Sequence, residues 1–195
     1  MQVAIVKYNA GNIHSVVHAI RRLGIEPILT DDPTLLQQAD KVIFPGVGEA
    51  ATTMQYLQKT GLDKVIKGLT QPVLGICLGM QLMCKHSEEG HVDALGIFDI
   101  PVKKFSWVKG IKIPHMGWNQ IGQLKSPLFA KNQENDYVYF VHSYYVPVCE
   151  HTIATTQYNG AFSAALNKNN FYATQFHPEK SGDVGSLILE QFLQL

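Results

Sequence analysis

The apolar positions in the first half of the chain alternate between two patterns. Short continuous runs predict buried strands, at Val3 to Val6, Ile25 to Leu29, Val42 to Phe44 and Val73-Leu74. Helical spacing predicts amphipathic helices between them, most clearly at Ile13, Val16, Val17, Ile20 and Leu23, with Asn12 as the N-cap and Gly24 at the end. This order predicts an α/β fold with a largely parallel central sheet and helices on both faces.

After Ile97 the pattern changes to short strands separated by turn signals. The predicted strands are Val102 to Phe105, Tyr137 to Val141, Thr152 to Tyr158, Ala161 to Leu166 and Phe171 to Thr174. An amphipathic helix is predicted from Asp183 to Leu193. Because no repeat or linker interrupts the 195 residues, we expect one domain over residues 1–195.

Composition excludes several classes of protein. The chain is 46% hydrophobic and 16% charged with a formal net charge of zero, which argues against disorder and against nucleic-acid binding. The apolar stretch from Val73 to Cys84 is too short to cross a membrane. The first residues show no basic leader pattern, so we expect a cytoplasmic protein. Three cysteines without a C-x-x-C pair, and His14 and His18 without a third ligand, favour neither disulfides nor a metal site.

The segment Gly75-Ile76-Cys77-Leu78-Gly79 carries the strongest chemical signal. A buried strand that enters a helix through a glycine-flanked cysteine predicts a nucleophile elbow, in which a strained turn exposes the reactive atom. The glycines let the two arms of the turn approach closely, and a helix N-terminus favours a thiolate. The alternative is that Cys77 is an ordinary apolar core residue.

A second segment, Gln175-Phe176-His177-Pro178-Glu179, supplies a base and a carboxylate. If the segment is extended, His177 and Glu179 point the same way, so His177 can take the thiol proton while Glu179 orients the imidazole. Taken alone, such a segment is most often a solvated loop. Together with the elbow cysteine, it predicts a Cys77, His177 and Glu179 triad.

The motifs G-I-C-L-G-M-Q and F-H-P-E resemble those of the class I, or triad-type, glutamine amidotransferases. Three further segments resemble the group within this family that serves as glutaminase subunits of imidazole glycerol phosphate synthases: Phe44 to Gly48, Pro114 to Asn119 and Tyr139 to Tyr144. The motifs span nearly the whole chain. The first loop departs from the family, because it reads Lys7-Tyr8-Asn9-Ala10-Gly11-Asn12, where an acidic residue and a glycine are expected before Gly-Asn.

The oxyanion formed on thiolate attack needs hydrogen-bond donors. We expect the backbone N–H of Leu78 to be one donor. Gly46, Val47 and Gly48 are the candidates for the second, although this run also suits a simple strand-to-helix turn. In the resembled subunits this loop is linked to activation by the partner, which implies an incomplete oxyanion hole in the isolated chain.

The resemblance also assigns substrate and partner contacts. Gln81 lies one helical turn after Cys77 and can face bound glutamine. The family match implies that Glu89 contacts the α-amino group, with a solvated acidic residue as the alternative, and that the backbone N–H groups of Ser143 and Tyr144 hold the carboxylate. It places Trp118, Tyr139 and Lys180 at the partner interface, although the two aromatic residues also suit a core or rim position.

The function that the resemblance implies is hydrolysis of L-glutamine through a Cys77 thioester, without metal or organic cofactor. The ammonia then serves a separate cyclase subunit with a (β/α)₈ barrel, which forms a heterodimer with this chain in histidine biosynthesis. Three alternatives remain. They are a glutaminase subunit for anthranilate, guanylate or pyridoxal phosphate synthesis, a non-catalytic scaffold, and a cysteine hydrolase acting on esters or peptides.

Overall fold

A computed structural model describes residues 1–8 and 13–195. The predicted N-cap Asn12 lies outside the described residues. The helices are α1 (His14–Arg22), α2 (Pro33–Gln38), α3 (Ala50–Thr60), α4 (Leu62–Lys67), α5 (Leu78–Met83) and α6 (Gly182–Gln194). The strands are β1 (Val3–Val6), β2 (Ile28–Thr30), β3 (Lys41–Phe44), β4 (Val73–Ile76), β5 (Cys84–Ser87), β6 (Val92–Asp93), β7 (Phe98–Lys104), β8 (His115–Gln120), β9 (Tyr137–His142), β10 (Tyr144–Tyr145), β11 (Thr152–Gln157), β12 (Ala161–Lys168) and β13 (Phe171–Thr174).

The central sheet has seven strands in the order β11-β12-β13-β4-β3-β1-β2. The strands β13, β4, β3, β1 and β2 run parallel to one another. The strands β11 and β12 extend the sheet in antiparallel pairing. The predicted α/β fold with a largely parallel sheet and flanking helices is therefore confirmed.

Both faces of the central sheet are covered by apolar side chains. Along β1, Val3 and Ile5 belong to one apolar cluster, and Ala4 and Val6 belong to the other. The first cluster includes residues of α1, α6 and the β8–β9 hairpin, and the second includes residues of α2 to α5 and of β5 and β7. Such two-sided burial explains why β1, β3 and β4 consist of buried residues throughout.

Two predicted elements differ from the structure for local reasons. The strand predicted from Ile25 to Leu29 begins only at Ile28, since Pro27 has no N–H to give to a strand neighbour. The composition of Asp31-Asp32-Pro33 predicts a turn, but this segment opens α2. Asp32 accepts hydrogen bonds from the backbone of Thr34 and Leu35, and Pro33 occupies the first helical position.

The helix after the elbow is shorter than predicted. The sequence predicts a helix that starts after Cys77 and is closed by the polar segment Ser87-Glu88-Glu89. This prediction is wrong, because the helix ends at Met83 and Cys84 begins β5. The apolar run Leu82-Met83-Cys84 is buried in both elements, and a short apolar run does not distinguish helix from strand. The spacing of seven residues from Cys77 predicts that Cys84 packs inward, and Cys84 is indeed fully buried.

Within the described ranges, 1–8 and 13–195, none of the helices combines the length and the apolar character that crossing a membrane requires.

Candidate active site

The loops that form the site begin at neighbouring strand ends. The loop after β3 carries residues 46–48, the loop after β4 carries Cys77, and the segment after β13 carries His177. Because β13 and β4 are parallel and pair Thr174 with Ile76, their carboxyl ends meet at one edge of the sheet. The strand β3 lies on the other side of β4 with the same direction. The strand order therefore brings together segments that are about 100 residues apart in the sequence, at the edge where parallel sheets bind ligands.

The elbow around Cys77 has the strained geometry expected of a nucleophile turn. Cys77 has a φ of 52°, a conformation that non-glycine residues rarely adopt, and its N–H donates to the Thr174 carbonyl over 2.7 Å. A Cβ at Gly79 would collide with the carbonyl oxygen of Phe44, and one at Gly75 would lie 3.0 Å from the backbone of α5. The two glycines thus allow α5 to pack directly on the strand ends.

His177 and Glu179 form a buried pair behind the cysteine. The Nδ1 atom of His177 lies 2.8 Å from Glu179 Oε1, and the two side chains are 2% and 3% exposed. The backbone between them is a 3₁₀ turn, Pro178–Lys180, so the expected extended geometry is wrong although the side chains meet. Since Nδ1 faces the carboxylate, Nε2 is left for the sulfur and the substrate. Within the described part of the chain, Nε2 is buried without a hydrogen-bond partner.

The electrostatics of His177 favour its charged form. Burial alone lowers the pKa of His177, but the negative charge of the Cys77 thiolate and the hydrogen bond with Glu179 outweigh it, so the net pKa is raised. A histidine of this kind stabilises a thiolate and keeps a proton ready for a leaving group.

A pocket of about 340 Å³ opens over Cys77 and His177. Its lining includes every predicted oxyanion and substrate position: Gly46, Val47, Gly48, Leu78, Gln81, Glu89, Ser143 and Tyr144. Pro114, Val141 and His142 complete the lining and were not predicted from the sequence. The structure therefore brings the predicted residues together, while their roles stay predictions.

The loop after β3 lies against the elbow. A Cβ at Gly46 would collide with Leu78 and Gly79, and Gly48 has a φ of 130°. Within the described residues, the backbone N–H groups of residues 46–48 donate no hydrogen bond to the protein. These donors are therefore available to a ligand, as an oxyanion hole requires. The Tyr8 hydroxyl anchors the loop by donating to the Pro45 carbonyl over 2.5 Å.

Gln81 faces the pocket but already has protein partners. Its Nε2 atom donates to the Tyr144 carbonyl over 2.9 Å and to Gln175 Oε1 over 3.0 Å. The Nε2 atom of Gln175 in turn lies 3.7 Å from Cys77 Sγ. Gln81 therefore links Tyr144 to Gln175 in the protein, in addition to its predicted contact with the substrate.

Glu89 lies in the turn between β5 and β6, beside the N-terminus of α3. Its Oε2 atom accepts the backbone N–H of Ala50 over 2.9 Å. Burial raises the pKa of Glu89, and the bond from Ala50 opposes this rise. A half-buried carboxylate in the pocket wall can bind an ammonium group. The positive charge of this group would stabilise the carboxylate in place of the solvation that is lost on burial.

The predicted interface residues form a group beside the His177 segment. Trp118 and Tyr139 are cross-strand partners on β8 and β9, with ring centroids 6.2 Å apart, and Trp118 is 56% exposed. The sequence Gly117-Trp118-Asn119 predicts a turn, and this prediction is wrong, because these residues belong to β8. Lys180 is half-buried in the 3₁₀ turn that follows His177.

Backbone and hydroxyl bonds join β9 to this turn. The His177 N–H donates to the Tyr139 carbonyl over 2.9 Å, and the Tyr139 N–H donates to Ser181 Oγ over 3.0 Å. The Ser181 hydroxyl donates to the His177 carbonyl over 2.6 Å. Sequence reasoning missed Ser181, whose only signal is a small polar residue two positions after the motif. Among the described residues, no cluster of three or more His, Cys, Asp or Glu side chains could hold a metal ion.

Comparison with solved structures supports the fold. One structure, described as a glutamine amidotransferase, superposes with a TM-score of 0.75 at 17% identity, covering 98% of this chain and 97% of that one. A glutamine amidotransferase from Thermotoga maritima has a TM-score of 0.65 at 16% identity, covering 100% and 83%. At such identities the likeness concerns the fold alone.

Comparison of sequences is more specific. The model of the family "Glutamine amidotransferase class-I" matches residues 4–195. The "Imidazole glycerol phosphate synthase subunit HisH" of Bacteroides thetaiotaomicron is 64% identical, and that of Pectobacterium atrosepticum 48% identical, each over 100% of both chains. The chain therefore belongs to the class-I glutamine amidotransferases and, within them, to the family of imidazole glycerol phosphate synthase HisH subunits.

Proposed function

We propose that this protein hydrolyses L-glutamine to glutamate and ammonia and delivers the ammonia to a separate cyclase subunit of imidazole glycerol phosphate synthase. The observation that carries the proposal is the pocket over Cys77 and His177, with Glu179 bonded to the far side of the imidazole. Family membership supports the substrate, and the names of the relatives support the pathway.

The reaction proceeds in two halves. In the first, Cys77 Sγ attacks the side-chain amide carbon of glutamine, and the proton that left the thiol is held on His177 Nε2. The imidazolium gives this proton to the departing nitrogen, so ammonia leaves and a γ-glutamyl thioester remains. In the second, His177 takes a proton from water, whose oxygen attacks the thioester. Glutamate is released and the sulfur recovers the proton.

Two groups of backbone donors act on the substrate. The N–H of Leu78 and those of residues 46–48 stabilise the oxyanion, because they border the pocket beside the nucleophile. The N–H groups of Ser143 and Tyr144 hold the carboxylate of glutamine, and Glu89 and Gln81 bind its polar atoms. What supports this assignment is that these residues surround the same cavity.

The partner is a cyclase with a (β/α)₈ barrel, which forms a heterodimer with this chain and binds the face around Trp118, Tyr139 and Lys180. The exposure of the Trp118 ring supports this choice of face. Binding of the partner at this face would affect the pocket through the hydrogen bonds that join Tyr139 to the His177 segment. We further propose one amidotransferase domain over residues 1–195 in the cytoplasm, where thiols stay reduced.

The test is a glutaminase assay of the pure chain, alone and with the cyclase and its nucleotide ligand. We expect ammonia release that rises strongly when partner and ligand are present, and none with Cys77→Ser in the same complex. A labelled γ-glutamyl adduct should form on Cys77 when the complex is quenched during turnover. Equal rates for the free chain and the complex would contradict activation by the partner. Hydrolysis of simple esters without preference for glutamine would instead favour a general cysteine hydrolase.

A further inference from the structure

A buried pair of histidines lies behind the glutamine-binding backbone of the pocket wall, and the proposed chemistry assigns no role to either ring. The cross-strand partners His115 on β8 and His142 on β9 lie side by side, with His115 Nδ1 2.9 Å from His142 Nε2. His115 is 3% exposed and His142 is 6% exposed. Both rings pack among aromatic side chains. Buried polar groups of this kind are costly unless every hydrogen-bonding atom has a partner.

The hydrogen-bond partners determine the proton positions on both rings. His142 Nδ1 lies 2.7 Å from the Tyr144 carbonyl oxygen, which can only accept, so Nδ1 carries the proton. Burial lowers the pKa of His142 to about 3 and that of His115 to about 4, so both rings are neutral near pH 7. His142 Nε2 is therefore an acceptor, and His115 Nδ1 must donate to it. His115 Nε2 then accepts from Asn119 Nδ2 over 3.3 Å.

The network continues from Tyr144 to the nucleophile. The Tyr144 carbonyl accepts a second hydrogen bond, from Gln81 Nε2. The same Nε2 donates to Gln175 Oε1, and Gln175 Nε2 points to Cys77 Sγ over 3.7 Å. Because two donors hold one carbonyl, the backbone of Tyr144 is fixed in the pocket wall.

We propose that this chain of hydrogen bonds from Asn119 through His115, His142, Tyr144, Gln81 and Gln175 positions the glutamine-binding wall relative to Cys77. His115 is the positioning residue of the network. It lies outside the pocket lining and acts on the substrate only through His142 and the Tyr144 carbonyl. The inference rests on the proposed function, since it assigns the 143–144 backbone to binding of glutamine.

The network also ends beside the proposed interface. Asn119 follows Trp118 on β8 and donates a second hydrogen bond to the Gln157 carbonyl over 3.0 Å. A partner that displaces the β8 backbone would move Asn119 and with it the first link of the network. This connection between the exposed Trp118 face and the pocket runs mainly through side chains and includes one backbone carbonyl, that of Tyr144. The connection at Tyr139 runs through backbone groups and the Ser181 hydroxyl.

A comparison of variants in the complex with the cyclase tests the role of His115. His115→Phe keeps an aromatic ring between Phe140 and Tyr158 but removes the donor to His142, so we expect KM for glutamine to rise about tenfold while kcat changes less than about threefold. His115→Asn retains an amide donor near the Nδ1 position and should restore KM to within about threefold of the wild type.

Phe162→Leu is the matched control, because Phe162 packs against both rings without entering the hydrogen bonds. This variant should lower the melting temperature and leave KM unchanged. An unchanged KM in His115→Phe would overturn the inference. So would an equal rise of KM in Phe162→Leu, because a merely structural role would move both variants together.

Imidazole ¹⁵N NMR of the histidine-labelled chain tests the network without any activity. Both His115 and His142 should be neutral at pH 7 with the proton on Nδ1. In His115→Phe, the ¹⁵N chemical shift of His142 Nε2 should move to that of a nitrogen that accepts no hydrogen bond. A proton on His142 Nε2 overturns the network even if the enzyme is active. A wild-type complex that releases no ammonia contradicts the proposed function instead, and the proton positions then still decide on the network.

Discussion

Two walls of the same pocket are built by different means. The first, the catalytic edge, consists of the ends of β3, β4 and β13 with Cys77 and His177. The second, the outer wall, consists of residues 141–144, which line the pocket, and of the β8–β9 hairpin, to which residues 141 and 142 belong. Parallel strand pairing holds the catalytic edge, and the Cys77 N–H itself donates to the Thr174 carbonyl. The outer wall depends on side chains, chiefly the buried His115 and His142 pair.

The difference separates the chemical step from recognition of the substrate. At the catalytic edge, the backbone positions the reacting groups, so a single side-chain change should remove chemistry and leave the shape of the site intact. In the outer wall, a side-chain change should shift the groups that hold glutamine and leave the reacting atoms in place. Variants that affect kcat or KM selectively can therefore break this comparison or sharpen it.

The largest effect is expected for Glu179→Gln at the catalytic edge. The amide is nearly isosteric, but its NH₂ group cannot stabilise the imidazolium and favours the wrong tautomer of His177, so kcat should fall about 10³- to 10⁴-fold. The melting temperature should change little. Steady-state ammonia release and thermal unfolding of the same preparation provide the measurement.

Glu150→Gln is a matched control, because Glu150 lies 3.8 Å from His151, outside the pocket lining, and is 86% exposed. It should leave kcat unchanged. If Glu179→Gln instead raised KM and kept kcat, the catalytic edge would be a binding wall and the comparison would break.

A smaller effect, on stability, is expected for Gly79→Ala. The added Cβ collides with the Phe44 carbonyl, so α5 must move away from β3 at a cost of about 1–3 kcal/mol in the free energy of unfolding. Gly68→Ala is the control, since Gly68 has an ordinary φ of −87° and its nearest neighbour to an added Cβ lies 3.3 Å away. Urea denaturation measures both. Equal stability of the two variants would show that the elbow tolerates rearrangement.

The loop after β3 gives a third prediction. Tyr8→Phe leaves the Pro45 carbonyl buried without its donor, which should cost about 1–2 kcal/mol of stability. Since a peptide is planar, the same bond orients the Gly46 N–H, so kcat of the complex should fall about threefold to tenfold. Tyr56→Phe, in a small cavity that Tyr8 also lines, is the control. If kcat of Tyr8→Phe equalled that of the wild type, the hydrogen bond from Tyr8 would have no role in the oxyanion hole.

Sequence reasoning reached further at the catalytic edge than in the outer wall. The apolar runs predict β3, β4 and β13 because strands buried on both faces leave a continuous signal. The glycine-flanked Cys77 and the His177 motif follow two of these strands, and parallel topology then requires them to converge. The site residues at this edge could therefore be proposed from local patterns.

The outer wall could not be predicted in the same way. His115 and His142 meet because of the register between β8 and β9, and sequence alone does not determine register. Gln175 is buried beside Cys77, but its partner Gln81 lies 94 positions away. Tyr8 and Pro45 likewise meet only through the order of β1 and β3 in the sheet. Such long-range polar contacts leave no periodic pattern.

The smallest expected effect is on the pH dependence of stability. It tests whether the outer wall depends on the neutral rings of His115 and His142. Because burial lowers the pKa values of His115 and His142 below the ordinary 6.5, these two rings bind more protons in the unfolded chain than in the folded chain between about pH 6.5 and 4. His177, whose pKa is raised, has the opposite effect, and it acts above about pH 6.

The stabilisation from neutral rings is therefore complete only well above pH 6.5 and is lost as the pH falls toward 4. Between pH 7 and 6 the loss is about 1 kcal/mol or less per ring. Urea denaturation at half-unit pH steps should show this slope, and His115→Asn should reduce it because one titrating ring is gone. Phe162→Leu, which keeps both titrating rings and removes only an aromatic neighbour, should leave the slope nearly unchanged. If both variants kept the wild-type slope, His115 would not titrate with folding, and the outer wall would not depend on its neutral ring.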